Sequence, residues 1–151
     1  MTTAAVVLPI GPDRYAVLAS TVREVVANPR PTSLPTAPAV ILGVFYLRGE
    51  VVPMFDTAAL LGMGRLDTAP LVVVVLNTVA GPVGLAATGL PEVALLEATM
   101  GPSELRGTSG VYTTDAGVVV LLDVEALLLP HTSLPASGLA GATMTDAMAS
   151  R

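Results

Sequence analysis

Apolar residues in this chain come in short runs, rich in Val, broken every few positions by Gly, Pro or Asp. That pattern predicts an all-β sandwich or barrel of short strands joined by turns. The predicted strands are residues 5–10, 14–19, 44–48, 51–55, 71–76, 83–87 and 118–122. Gly11-Pro12-Asp13 predicts the turn between the first two. Tyr15, Val17 and Ala19 share one face of the second strand, because strand side chains alternate. Two segments carry helix signals instead. Asp56 is placed to cap residues 57–61, with Gly62 ending them. Asp123 is placed the same way before residues 124–129, and Pro130 is the expected stop.

The two helix signals belong to an internal repeat. Gly43-Val44-Phe45 matches Gly110-Val111-Tyr112, and residues 51–61 match residues 118–128. Earlier in each copy the spacing slips by one residue. Residues 15–20 then match 83–88, and Glu24-Val25 matches Glu92-Val93. Chance agreement among Val, Ala and Leu is the bland account of this. The matched Gly, Asp and Glu positions favour a true repeat. The chain therefore divides into two halves, about 4–62 and 70–129, each expected to form a small curled sheet. Neither half could bury much core alone, so the two are expected to pack together around a groove.

Composition narrows the picture. At 151 residues the chain has the length of one domain, and it is 52% hydrophobic and 13% charged, so most of it should fold. Residues 1–130 form the expected domain. Residues 131–151 are small and polar and predict a flexible C-terminal tail, with a short helix at 145–150. Residues 68–91 carry no charge and are long enough to span a bilayer. Pro70, Gly81-Pro82 and Gly89 interrupt them, however, and the run reads as a buried hairpin turning at Gly81-Pro82. The N-terminus lacks the positive start of a signal peptide, which fits a cytoplasmic protein.

Several function classes fall away. All seven basic residues are Arg and the net charge is −5, with no basic patch for nucleic acid. Without Lys there is no phosphate-binding Walker loop and no Schiff base. There is no Cys, and the single His131 lies in the expected tail, so no metal site is expected. No cofactor motif appears.

Residues 34–56 contain Pro35, Pro38, Gly43, the apolar strand ending Leu47-Arg48-Gly49, and a second apolar strand with Pro53 ending in Asp56. This segment, with Tyr15-Ala16-Val17 and Val22-Arg23-Glu24-Val25 upstream, closely resembles CheW-like chemotaxis adaptor domains. The resemblance covers about residues 5–129. It implies two SH3-like five-stranded β-barrel lobes with short capping helices, and a scaffold without catalysis. It also implies two partners: the regulatory domain of a CheA-type histidine kinase, and the cytoplasmic tip of a chemoreceptor near the inter-lobe groove. The chain departs from the family pattern at Tyr46, usually Asn, and at Ala87-Thr88, often Val-Asp.

The residues so marked for partner binding are Val22, Glu24, Tyr46, Leu47, Arg48, Gly49, Leu85, Ala87 and Val111. For Arg48 the bland reading is a surface ion pair with Glu50, and the functional one is an interface contact. The resemblance favours the second. Gly49 supplies a positive φ to the turn, and Pro53 marks a strand edge or bulge. Val22 and Glu24 read equally as a half-buried Val beside a solvated Glu or as a kinase-facing pair. Leu85, Ala87 and Val111 are core residues by default and could instead line a groove for a receptor helix.

Two alternatives stay open. One is a lone CheW-like binding module outside a chemosensory array. The other is an aspartic protease, because Met54-Phe55-Asp56-Thr57-Ala58 resembles the Asp-Thr-Gly motif of those two-lobed β enzymes. That chemistry needs two carboxylates sharing a proton. Asp123 matches Asp56 in the repeat, but its neighbours Val124 and Glu125 depart from the motif.

Overall fold

The structure, a computed structural model, describes residues 3–132. It is all-β, with two curled SH3-like sheets, two short α-helices and one 3-10 turn among the described residues. The first half runs β1 (Thr3–Ile10), β2 (Asp13–Leu18), β3 (Val22–Ala27), β4 (Ile41–Leu47), β5 (Glu50–Phe55) and α1 (Thr57–Leu60). The second runs β6 (Val72–Thr78), β7 (Gly81–Ala87), β8 (Glu92–Leu96), β9 (Ala98–Gly101), β10 (Thr108–Thr114), β11 (Gly117–Leu122) and α2 (Val124–Thr132).

The sheets do not follow the halves. Lobe one has the order β8-β1-β2-β11-β10-β9, and lobe two has the order β3-β6-β7-β5-β4. Each half thus lends its first hairpin to the other half's sheet. The expected lobe boundaries at 4–62 and 70–129 are corrected accordingly: each lobe draws strands from both sides of residue 70. The repeat itself is visible in the pairing. Leu121 lies beside Ala16 in lobe one, as Met54 lies beside Gly84 in lobe two. Val6 faces Val93 as Val74 faces Val25. Even the irregularities match, with a register shift after Thr108 in β10 and after Ile41 in β4. Gly43 stands at that shift with φ +155°, and a Cβ there would lie 2.5 Å from the Thr32 carbonyl oxygen.

The exchanged hairpins explain the long uncharged run. One face of β6–β7, through Val73 and Ala86, lines the interior of lobe two with Met54. The other face, through Val72, Val74, Leu76, Leu85 and Ala87, packs against Val6, Leu8, Tyr15 and Val17 of β1–β2. Strands buried on both faces lose the alternation of polar residues and read as continuous apolar runs. No helix among the described residues is long and apolar enough to cross a membrane. The hairpin turn sits at Val79-Ala80, slightly before the expected Gly81-Pro82, which begin β7.

Both helices are capped as their sequences require. Asp56 Oδ1 accepts the Ala59 N–H at 3.0 Å, and Asp123 Oδ1 accepts the Ala126 N–H at 3.1 Å. Past α1, Gly62 takes φ +72° while its N–H and that of Met63 return to the Ala59 and Ala58 carbonyls. That closes the helix end in a Schellman motif. Pro130 does not stop α2 but lies in its last turn, with His131, which is half-buried in the helix rather than in a tail. Pro53 stands in an internal strand, where the β5–β7 ladder begins only at Met54. The expected helix at 145–150 lies outside the described residues.

Candidate protein-interaction site

The β4–β5 connection is a two-residue hairpin, since Leu47 pairs with Glu50. Its central residues both have positive φ, Arg48 at +52° and Gly49 at +83°. Such a turn matches the twist of the flanking strands and favours Asn-Gly. Arg in the first place is costly, because a Cβ crowds the left-handed conformation. The consequence is a cation held out at the tip, its side chain 74% exposed.

The barrel curls until this tip meets β3. Arg48 Nε donates to Glu24 Oε1 at 2.9 Å. That hydrogen bond, and the charge of Glu24, raise the affinity of Arg48 for its proton. Arg23 Nη1 donates to Glu50 Oε1 at 2.9 Å, and its Nε donates to Asn77 Oδ1 at 2.9 Å. Successive strand residues normally point to opposite faces. Here a register shift between Val22 and Glu24 lets Arg23 and Glu24 both reach the tip, which is what bulges do to side chains. The partner of Arg48 is therefore Glu24, not the adjacent Glu50. Tyr46 lies beside the tip, 54% exposed on β4.

A cleft of about 310 Å³ opens where the lobes meet, lined by Leu18, Thr21, Leu76, Asn77, Ser109 and Leu121, with the first turn of α2. Asn77 belongs to both features, lining the cleft and holding Arg23. Across the lobe junction, the Val79 N–H reaches Glu125 Oε2 at 3.1 Å.

Arg48 and Glu24 meet at the hairpin tip, with Tyr46, Leu47 and Gly49 beside them along β4 and the turn, and Leu47 is half-buried. Val22 is half-buried and packs against the inter-lobe core. Leu85 and Ala87 are corrected: both are fully buried in the core between the lobes, with no surface for a partner. Their hairpin has a lobe on each side. Val111 is half-buried in β10, opposite Val120 and Gly101, and does not line the cleft. Arg23, Glu50 and Asn77 were missed as a network, since only the curl of the sheet brings them together.

The model of the CheW-like domain family matches residues 4–129. The chain belongs to the CheW family.

A probable chemotaxis protein CheW of Rhizobium etli is 32% identical over 127 residues, covering 78% of this chain and 82% of that protein. The chemotaxis protein CheW of Rhizobium meliloti is 38% identical over 77 residues, covering 50% of each. The crystal structure of a scaffolding CheW from Thermoanaerobacter tengcongensis superposes with a TM-score of 0.74, at 21% identity over 84% of this chain and 88% of that one. That likeness concerns the fold.

Membership in the CheW family weighs against the protease alternative, and so does the local chemistry. Asp56 is buried, 3% exposed, and both its oxygens are engaged by backbone: Oδ1 by Ala59 and Oδ2 by the Leu66 N–H at 3.2 Å. Thr57 Oγ1 donates to the Ala86 carbonyl at 2.6 Å. Asp123 is exposed and caps α2. Both aspartates hold helix ends and the loops beside them. No cluster of metal-binding side chains occurs among the described residues.

Proposed function

We propose that this CheW-family chain is a chemosensory adaptor that couples chemoreceptors to a CheA-type histidine kinase in chemotaxis or a related motility pathway. The kinase's regulatory domain docks on the face of Arg48, Glu24, Tyr46 and Gly49. The receptor's cytoplasmic tip enters the cleft between the lobes. The protein carries no catalysis of its own and works in the cytoplasm, drawn to receptor arrays by its partners.

The observation that carries this reading is Arg48 itself. A bulky cation is kept in a left-handed turn position and braced by Glu24, although Asn would fit there with less strain. Arg is also among the residues that dominate interface energetics. Asn77 supports a coupled scaffold, since it touches the Arg23 network on one side and the cleft on the other.

Calorimetric titration with the regulatory domain of a CheA-type kinase from the same cell tests the reading. Saturable binding is expected, weakened at least several-fold by Arg48→Ala with the fold intact. Absence of binding to every such kinase, or binding indifferent to Arg48→Ala, refutes this assignment of the face.

A further inference from the structure

The buried phenol of Tyr15 has a weak partner. Tyr15 lies in the core between the lobes, 3% exposed, and its hydroxyl donates to Met63 Sδ at 2.9 Å. This is the hydroxyl's only hydrogen bond among the described residues. A buried tyrosine hydroxyl normally finds a good acceptor, and a thioether sulfur is a poor one. The repeat does not dictate the pair, since the equivalents of Tyr15 and Met63 are Val83 and Pro130. The contact nonetheless spans the lobes. Tyr15 belongs to β2 of lobe one, and Met63 to the segment that leaves β5 and α1 of lobe two.

That segment is fixed on both sides of the sulfur. The Met63 N–H returns to the Ala58 carbonyl at 2.9 Å, and the Leu66 N–H binds Asp56 Oδ2 at 3.2 Å. Leu66 also packs against the cluster of Met54, Val73 and Ala86. The backbone therefore holds the sulfur against the hydroxyl, yet Met63 is 42% exposed, whereas Met54 is 1% exposed. The chain has no Cys, so its thioethers are the sulfur groups open to an oxidant. We propose that Met63 is a reversible oxidation site: a peroxide converts it to the sulfoxide in one configuration, and Tyr15 then holds the sulfoxide oxygen, tightening the junction between the lobes.

The chemistry follows from the geometry of the sulfur. With hydrogen peroxide, a sulfur lone pair attacks one oxygen, an S–O bond forms and the O–O bond breaks. Sulfur loses two electrons to the peroxide. The departing hydroxide takes the proton of the transferred oxygen and leaves as water. A thioether sulfur has two lone pairs, and the Tyr15 hydroxyl occupies one. The incoming oxygen is left the other, so a single epimer forms. Rotation about the Cγ–Sδ bond then turns the new oxygen towards the hydroxyl. A sulfoxide is polar where the thioether is not, so the buried donor gains a stronger acceptor. Methionine sulfoxide reductases act on one epimer each, which makes the change reversible.

Treating the full-length protein with hydrogen peroxide, then digesting it and applying each of the two epimer-specific reductases to the peptides, tests the first step by mass spectrometry. One reductase should remove several-fold more of the Met63 sulfoxide than the other. The sulfoxide of Met100, which is 61% exposed and has no hydroxyl at its sulfur, should divide evenly. Tyr15→Phe should make Met63 divide evenly too. Even division in the natural chain, or a preference that survives Tyr15→Phe, overturns the proposal, as does a Met63 that stays reduced while Met100 is oxidised. Urea midpoints read the tightening. Treatment should raise the midpoint of the natural chain relative to Met63→Leu treated alike, a comparison that cancels oxidation at the other methionines. The same comparison made in the Tyr15→Phe background should show no rise. A relative fall in the natural chain makes the oxidation damage and overturns the tightening. None of these readouts involves a kinase or receptor, so their failure leaves the adaptor reading standing.

Discussion

The tips of the β4–β5 and β10–β11 hairpins occupy equivalent places in the repeat and are built by opposite means. In lobe two, Leu47-Arg48-Gly49-Glu50 turns through two left-handed residues. In lobe one, Thr114-Asp115-Ala116-Gly117 turns without them. There Thr114 Oγ1 accepts the Ala116 N–H at 3.1 Å and donates to the Gly117 carbonyl at 2.9 Å, and Gly117 takes the positive φ. The turn at Thr78-Val79-Ala80-Gly81 uses the same Thr device. The molecule thus has an unstrained solution and uses it twice. Departure from it at Arg48 is the kind of local rule-breaking that marks functional positions.

The lobes also share a core, and disrupting that core should produce the largest effect. Leu85 is fully buried in the exchanged hairpin, beside Phe55 of lobe two and within the cluster that holds Val17 of lobe one. Leu85→Ala is expected to cost about 3 kcal/mol. Because each hairpin belongs to the other half's sheet, both lobes should lose stability together. Amide exchange under increasing urea reads this directly. Protection that collapses in lobe two while lobe one keeps its full value would show the lobes to be independent, against the exchanged topology.

Next in size is the contrast between the equivalent caps. Asp56 is buried and satisfies two backbone donors, whereas Asp123 is exposed and caps α2. Asp56→Ala should cost about 2–3 kcal/mol, because the part-buried N–H of Leu66 loses its acceptor along with the cap. Asp123→Ala should cost about 1 kcal/mol or less. Urea midpoints of the two variants decide it, and equal losses would mean that the 62–66 segment adds nothing to the cap.

How much of this was legible in the sequence differs from element to element. The strands with β-branched runs and turn residues were legible, and so were both caps, because their signals are local. β3, β8, β9 and β10 were not among the predicted strands. Val22-Arg23-Glu24 and Glu92 carry charges that dilute the pattern, and the Gly of β9 and the Thr residues of β10 read as turn material. The hairpin exchange was illegible, because a repeat reports equivalence and not which copy a strand pairs with. The tip was found through Leu47-Arg48-Gly49 and its family resemblance. Leu85 and Ala87 were misplaced because alternation cannot tell a groove-facing side of a strand from one covered by a second lobe.

Tyr15 offers a smaller test, since its equivalent in lobe two is Val83. Burial, and then the negative charge of Asp13, push its phenol above the ordinary value of about 10. The unfolded chain therefore releases this proton first as pH rises. Stability should fall progressively from about pH 10 upward, until the folded group titrates as well. Tyr15→Phe removes this contribution. Comparing urea midpoints at about pH 9 and pH 11 checks the sign: the natural chain should lose more than the Phe variant, and parallel losses would place the alkaline sensitivity elsewhere.

The smallest change in stability is expected where the largest change in binding is. Arg48→Asn puts at the tip the residue its left-handed conformation favours, and gives up only an exposed ion pair with Glu24. The urea midpoint should hold or rise slightly, while titration with the kinase regulatory domain should weaken at least several-fold. The equivalent change in the other lobe, Asp115→Asn, should leave both quantities where they were. A variant that is destabilised at Arg48 would mean that the arginine holds the barrel seam closed. A variant equally stable and equally competent in binding would mean that its strained position serves neither end. Only stability retained with binding lost separates the two tips as the structure separates them, one built for the fold and the other kept for a partner.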